Sequence, residues 1–527
     1  MPKEILYVQA GTFANFVGTH FWNAQEGYFT YSHDEEPAVY HDRSFREGLN
    51  NKGESTYCPR LLLFDRKSQF GALSDELYRS NDSSTAGQWE GGVIEYRQEP
   101  IPKSQYQTRL DQGEPEDDAQ VNEDLAPDSH QIRFWSDYSR VFLHPRTLQM
   151  LPDLADWEAA DGEWIKSRES FQQYDIDHDL MENEMRNFVE ECDGLQGLQL
   201  FSDCPAFGGF TDAFLTAFLD EFPKLTSLAF SFLSDASSNA TVTAEEPEAT
   251  KALNDALSLR SLYSLSTLNV PIQHPSAWER GDWLDDLRLE MRSPYHTSAL
   301  LSTHIESATL PFRLKASEHD MSSISGLLNM SGTTGTAHIA GTYPLSAAAS
   351  DAQKKVYDFS AVTEFRGKSR SQKLATEYGR AQVLRGDFSS TEWLKVNGMF
   401  PSNTPTSISF RAPAYPTPTS FPRIVKEASM LSSSSSNRSS QNGVSDIYHN
   451  VFSALTTSSA TSRLFASHAR LAQECVDKRA EVVTRMGLEF DEIRDLKDDL
   501  WALCDQYADD GGEGREDADE EIGEDEE

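Results

Sequence analysis

Residues 195–233 constrain the fold most. Residues 195–201 (LQGLQLF) form an apolar run of strand length, and Ser202 to Phe210 read as a loop carrying two adjacent glycines. Residues 211–221 have helical character, and residues 225–233 (LTSLAFSFL) form a second apolar run. Runs this short and this apolar suit strands buried on both faces. Strand, loop, helix, strand is the order of a βαβ unit, so an α/β fold is expected, with helices flanking a parallel sheet. The chain opens the same way: residues 4–10 (EILYVQA) read as a strand, Gly11 turns, and a helix is expected from Asn15 to Ala24. Residues 58–64 (CPRLLLF), closed by Asp65, read as another buried strand. Helices are expected near 132–150, 180–193, 249–265, 297–308 and 463–505, and a strand of a second layer over 336–344. Phe490, Ile493, Leu496, Leu500, Leu503 and Cys504 recur at helical spacing, which predicts packing against the body of the same chain.

Charge decides which partners are excluded. The 527 residues carry 46 Lys+Arg against 85 Asp+Glu, a net of −39. So acidic a chain is unsuited to neutralising phosphates or to holding anionic lipid on a basic face, and no direct nucleic-acid partner is expected. The acid is concentrated: residues 509–527 hold twelve Asp/Glu and one Arg, and residues 110–128 hold eight Asp/Glu and no Lys or Arg. Both stretches lack an apolar pattern and read as solvated. The five cysteines (58, 192, 204, 475, 504) are far apart and form no C-x-x-C, which fits a reducing compartment without a zinc site. No apolar run reaches the ~18 residues of a membrane span, and the opening residues lack a signal-peptide or mitochondrial presequence pattern.

Several motif look-alikes fail. Gly367-Lys368-Ser369 lacks the P-loop's earlier glycine, since Val362 stands in its place. Asp175, Asp177 and Asp179 have the spacing of a calcium loop, but Leu180 and Arg186 occupy positions that need Gly and Glu. What survives is a pair of strand-to-helix turns, Gly11 to Gly18 and Phe207-Gly208-Gly209-Phe210. Glycine at such turns lets backbone amides approach a phosphate at a helix N-terminus. It is also common there for purely steric reasons.

The order of segments resembles tubulin. Residues 8–22 (VQAGTFANFVGTHFW) look like its opening strand and glycine loop, and Tyr57 to Asp65 resembles its P-R-A-x-x-x-D strand. Residues 191–199 (ECDGLQGLQ) are close to E-x-C-D-x-L-Q-G-F-Q, and residues 254–258 (NDALS) resemble the helix that reads guanine. Leu300 to Leu314 resembles the helix preceding tubulin's catalytic loop. These matches are collinear over roughly residues 1–345. Residues 15–23 (NFVGTHFWN), Phe134 to Tyr138, Leu143 to Arg146 and Phe421 to Ile424 look like the Misato family, whose members resemble tubulin and carry inserted segments. The resemblance implies a tubulin/FtsZ-like fold with a second α+β domain and C-terminal helices. It also implies a role in the distribution, morphology and inheritance of mitochondria and their DNA. The divisions expected are 1–110, an acidic insertion 111–128, 129–345, a second-layer domain 346–431, a Ser-rich linker 432–445, a helical region 446–508 and the acidic tail 509–527.

Departures from tubulin set the expected activity. Two Phe flank the glycines of the phosphate loop, and Asp212 there would repel phosphate. Thr12 and Phe13 replace a Gln-Cys pair, and Lys67 stands where tubulin has a glutamate. Asp320 matches the catalytic loop's aspartate, with Ser323 where a glutamate would activate water. The degenerate nucleotide site implied by the resemblance uses Gly11, Thr12, Asn15, Asp65, Gly208, Gly209 and Asn254, with no catalytic residue and no metal site. The expectation is a non-catalytic protein without a cofactor, acting through protein partners on the cytosolic face of the mitochondrion, on the cytoskeleton or in the cytoplasm. The alternatives are a self-assembling GTPase, with Asp65 serving a metal through water and Asn254 reading guanine, and an acidic chaperone.

Overall fold

The computed structural model describes residues 3–29, 36–49, 55–73, 101–112, 132–153, 163–236, 246–330, 332–346, 352–362, 375–426, 429 and 447–508. The Gly367-Lys368-Ser369 motif, the linker 432–445, the tail 509–527 and all but the first two residues of the insertion 111–128 lie outside them.

Strand β1 (Glu4–Ala10) is buried along its length and leads through Gly11 into α1 (Thr12–Glu26). A hairpin, β2 (Phe45–Leu49) and β3 (Ser55–Pro59), precedes β4 (Leu61–Arg66). After α2 (Gln105–Gln112) come β5 (Leu148–Leu151), α3 (Trp164–His178) and, past a π-helical turn, α4 (Arg186–Glu190). Then β6 (Leu195–Asp203), α5 (Cys204–Glu221), β7 (Thr226–Phe232), α6 (Glu246–Leu265) and β8 (Leu268–Ile272) alternate. The six strands order as β5-β4-β1-β6-β7-β8, every neighbouring pair parallel. This is the doubly wound parallel sheet that apolar runs between helices predict.

Helix α7 (Pro294–Thr309) is buried from Tyr295 to its end, because it is packed between α1 and a second sheet. After α8 (Met321–Leu328), that second sheet is built from β9 (His338–Thr342), β10 (Tyr357–Asp358), β11 (Glu377–Arg385), β12 (Ser407–Ala412) and β15 (Val451–Ser458). Helix α9 (Ser390–Asn397) and a ribbon of β13 (Tyr415–Thr417) and β14 (Ile447–His449) complete this layer. The sheet orders as β10-β9-β15-β11-β12 and is mixed, since only β11 and β12 run parallel. It draws strands from both sides of the divisions read in the sequence at 345 and 445. Helices α10 (Thr461–Asp477), α11 (Glu481–Arg485) and α12 (Phe490–Tyr507) follow. Ile493, Leu496, Leu500 and Leu503 of α12 bury against α10 and α6.

Three local expectations are corrected. Residues 132–150 form 3-10 turns at Trp135–Tyr138 and Pro145–Thr147, then β5. Pro145 cannot continue a helix, and the buried Asp137 carboxylate accepts the amides of Arg133 and Phe134 to fix a turn. The loop expected from Ser202 to Phe210 is helical from Cys204, where Pro205 suits a first turn. The helical stretch 463–505 is broken into three, with Arg479 and Gly487 at positive φ between them.

The two sheets are joined by buried charge. Glu306 of α7 accepts from Arg313 (2.9 Å) and from Tyr28 (2.9 Å), and it pairs with Arg385 of β11. Arg385 also donates to Tyr28 Oη (2.6 Å) and to the carbonyls of Pro413 (2.9 Å) and Ala414 (3.2 Å). Glu306 and Arg385 are fully buried, and Arg313 is 2% exposed. Each charge is viable there only because its partners replace water. Removing Glu306 leaves two guanidiniums buried without a counter-charge. Glu306→Gln is therefore expected to cost about 3–5 kcal/mol in denaturant unfolding. A change below about 1 kcal/mol would show that the cluster does not hold the layers together.

Candidate functional site

Strands β4 and β5 lie on one side of β1, and β6 to β8 lie on the other. The chain reverses direction across the sheet at the β1–β6 boundary, where an open α/β sheet forms its ligand crevice. Helices α1 and α5 begin at this edge. Gly11 turns the chain with φ +107°, a conformation that favours glycine.

The N-terminus of α1 is occupied by the chain itself. Phe13 N–H donates to Asp203 Oδ2 (2.7 Å), and Ala14 N–H donates to Oδ1 (2.9 Å). Asp203 ends β6, so a carboxyl from one strand caps the helix that follows its neighbour. This is the position an anionic ligand takes at a helix start. A Cβ on Gly11 would lie 2.5 Å from Asp203 Oδ2, so that glycine makes room for the aspartate. Burial pushes the Asp203 carboxyl up to about 8, and nearby Asp65 adds to this, while the two amides oppose it.

Asp65 is equally engaged. It accepts from Thr12 Oγ1 (3.1 Å), Asn15 Nδ2 (3.0 Å), Trp135 Nε1 (3.1 Å) and the Arg66 amide (2.9 Å). Burial raises it to about 6, against the pull of those hydrogen bonds. Gly11, Thr12, Asn15 and Asp65 are thus brought together, as the sequence suggests, and they bind one another. Gly208 and Gly209 are not in a loop at the crevice. They lie inside α5, where a Cβ would sit 2.3 Å from Ser258 Oγ and 2.2 Å from the Trp164 carbonyl oxygen respectively. Their role is close packing of α5 on α6 and α3. Asn254 of α6 donates to the Pro205 carbonyl (3.1 Å) and is 2% exposed.

A cavity of about 410 Å³ remains at this edge, and its lining includes Phe13, Phe207, Phe232, Arg66 and Lys251. Phe13 meets Phe232 edge-on at 5.4 Å, and the Arg66 guanidinium lies over Phe207 at 5.9 Å. Phe210 packs instead against Phe64 (5.0 Å) and Phe171 (5.2 Å) in the core. Asp212 pairs with Arg168 (2.9 Å) and accepts from Ser261 (2.7 Å), so it does not face a phosphate loop. Lys67 opens a 3-10 turn. Asp320 and Ser323 cap α8 reciprocally, and Lys3 pairs with Asp320 at 3.2 Å. Among the described residues no group of three or more His, Cys, Asp or Glu could hold a metal ion. At this edge the first amides of α1 donate to Asp203, Asp65 carries four donors, and the glycine clearances are filled by protein.

Sequence reasoning missed Asp203 and Trp135 as site groups. An acidic residue ending a strand, immediately before the Cys204-Pro205 helix start, is the signal that marks Asp203. Trp135 carries no such local signal, because its role comes from tertiary placement.

An unfolded Asp titrates near ~4. With Asp65 and Asp203 raised to about 6 and 8, the folded chain keeps protons that the unfolded chain releases. The stabilisation is complete below pH of about 4 and is lost as pH rises through the two native values. Thermal melts are expected to fall between pH 5 and 8.5. Asp203→Asn should lower the pH 5 melt by weakening one amide bond, and should flatten the fall above pH 6. An unchanged slope in the variant would remove Asp203 from this role.

Two family models match: a tubulin domain over residues 125–314, and the Misato Segment II tubulin-like domain over residues 3–112. Protein dml1 of Aspergillus clavatus is 31% identical over 542 aligned positions, covering 96% of this chain and 100% of the relative. Protein DML1 of Gibberella zeae is 36% identical over 59% of this chain and 61% of its own length. Protein misato homolog 1 of Bos taurus is 29% identical over 63% of each. The alignment thus spans about three fifths of two of these relatives and the whole of the third. With one relative matched from end to end and both tubulin-like models matched in order along the parallel sheet, the chain belongs to the Misato family of tubulin-like proteins.

Proposed function

We propose that this chain is a non-catalytic member of the tubulin superfamily. It acts through protein partners in the partitioning, morphology and inheritance of mitochondria and their DNA, at the cytosolic face of the organelle and in the cytoplasm. The observation that carries the non-catalytic part is Asp203 seated on the amides of Phe13 and Ala14. Phosphoryl transfer depends on positioning and on charge stabilisation around the phosphates. Here the groups at the equivalent crevice are committed to internal bonds. Family membership supports the mitochondrial part. No helix among the described residues is long and apolar enough to cross a membrane, and a protein receptor is the proposed means of surface attachment.

Asp65 separates this reading from a GTPase. A carboxylate holding a metal through water would not tolerate loss of its charge. Purified wild-type chain is expected to release phosphate from GTP at background rate. Turnover well above background, abolished by Asp65→Asn in protein that still folds, would contradict the proposal.

A further inference from the structure

The crevice that the helix-capping aspartate closes to phosphate still holds a cavity of about 410 Å³, within the usual size of small-ligand pockets. Its chemistry differs from that of a nucleotide site. Phe13, Phe207 and Phe232 form aromatic walls, and Phe207 and Phe232 are 4% and 3% exposed. Four charged groups of its lining already have partners. Lys251 Nζ lies 2.6 Å from Asp235, and Arg66 donates to the Pro152 carbonyl (3.1 Å) while covering Phe207. Asp65 and Asp203 are bound by the donors of α1. A ligand entering here gains ring-edge and ring-face contacts and little charge complementarity. A polyanion would have to break existing bonds to gain any.

We infer that this cavity is a binding site for a small, neutral, planar aromatic molecule, held among Phe13, Phe207 and Phe232. The inference rests on the reading that the crevice no longer takes a nucleotide. It extends that reading by assigning the crevice a ligand class of its own.

The full chain can be titrated with prodan, a neutral naphthalene fluorophore, at pH 7. Blue-shifted emission saturating at one probe per chain is expected. Ala206 lies in the lining near the start of α5 and is only partly buried. Ala206→Trp would fill the cavity from its wall and is expected to weaken the probe at least about tenfold, with an unchanged melting temperature. Phe13→Glu, which places a charge on the partly exposed wall, provides a second variant should the first misfold. Absence of saturable binding, or binding that survives both substitutions in folded protein, overturns the inference. A parallel titration adds GTP to the probe complex and is expected to leave emission unchanged. Displacement of the probe by GTP would instead overturn the nucleotide-free reading on which the inference rests.

Discussion

The structure turns on one carboxyl group, that of Asp203, accepting the first amides of the helix that follows β1. In a doubly wound sheet this helix start is the natural place for a ligand's anion. An aspartate at the end of the adjacent strand puts a carboxyl group of the chain there instead. Other features follow from that substitution. Gly11 needs its positive φ and lack of a side chain to clear Asp203. Asp65, beside it, is bound by Thr12, Asn15 and Trp135. The carboxyls pay for desolvation with raised affinities for protons, which links the site to stability as a function of pH.

The rest of the molecule holds that edge rigid. Helix α7 lies between the two layers, and its Glu306 ties the end of α1, through Tyr28, to Arg385 on the second sheet. A buried cluster of this kind fixes one arrangement of the layers, since any sliding separates charges that water cannot reach. The C-terminal helices bury an apolar stripe on α6, the helix that carries Asn254. The crevice is therefore bounded by elements that are each fixed elsewhere.

Much of the fold is legible in the sequence because it depends on local pattern. The buried strands read at 4–10, 195–201 and 225–233 stand out as short apolar runs, as does the run 58–64, which the structure divides between the end of the hairpin at Pro59 and the sheet strand Leu61–Arg66, and the αβ alternation orders them. The stretch 132–150 is not legible in this way. Its aromatic and apolar residues suggest a helix, whereas the tertiary bonds of Asp137 and the ring of Pro145 impose turns. The site is legible only by half. Gly11, Thr12 and Asn15, just past the end of β1, meet Asp65 near the end of the neighbouring β4. Gly208 and Gly209 look the same in sequence as phosphate-loop glycines, but the room they leave is taken by Ser258 and Trp164. A glycine marks close approach without saying what approaches, and that distinction appears only once the helices are packed. Asp203 shows in the sequence only as an acidic strand end, because its capping partners Phe13 and Ala14 lie in a distant segment and no local spacing links them.

The most direct measurement is the guanine-nucleotide content of the full-length chain after gentle purification in magnesium. If Asp203 holds the helix start, the protein carries essentially no bound GTP or GDP. One guanine nucleotide per chain, seen with magnesium between Asp65 and the amides of Phe13 and Ala14, would contradict the account.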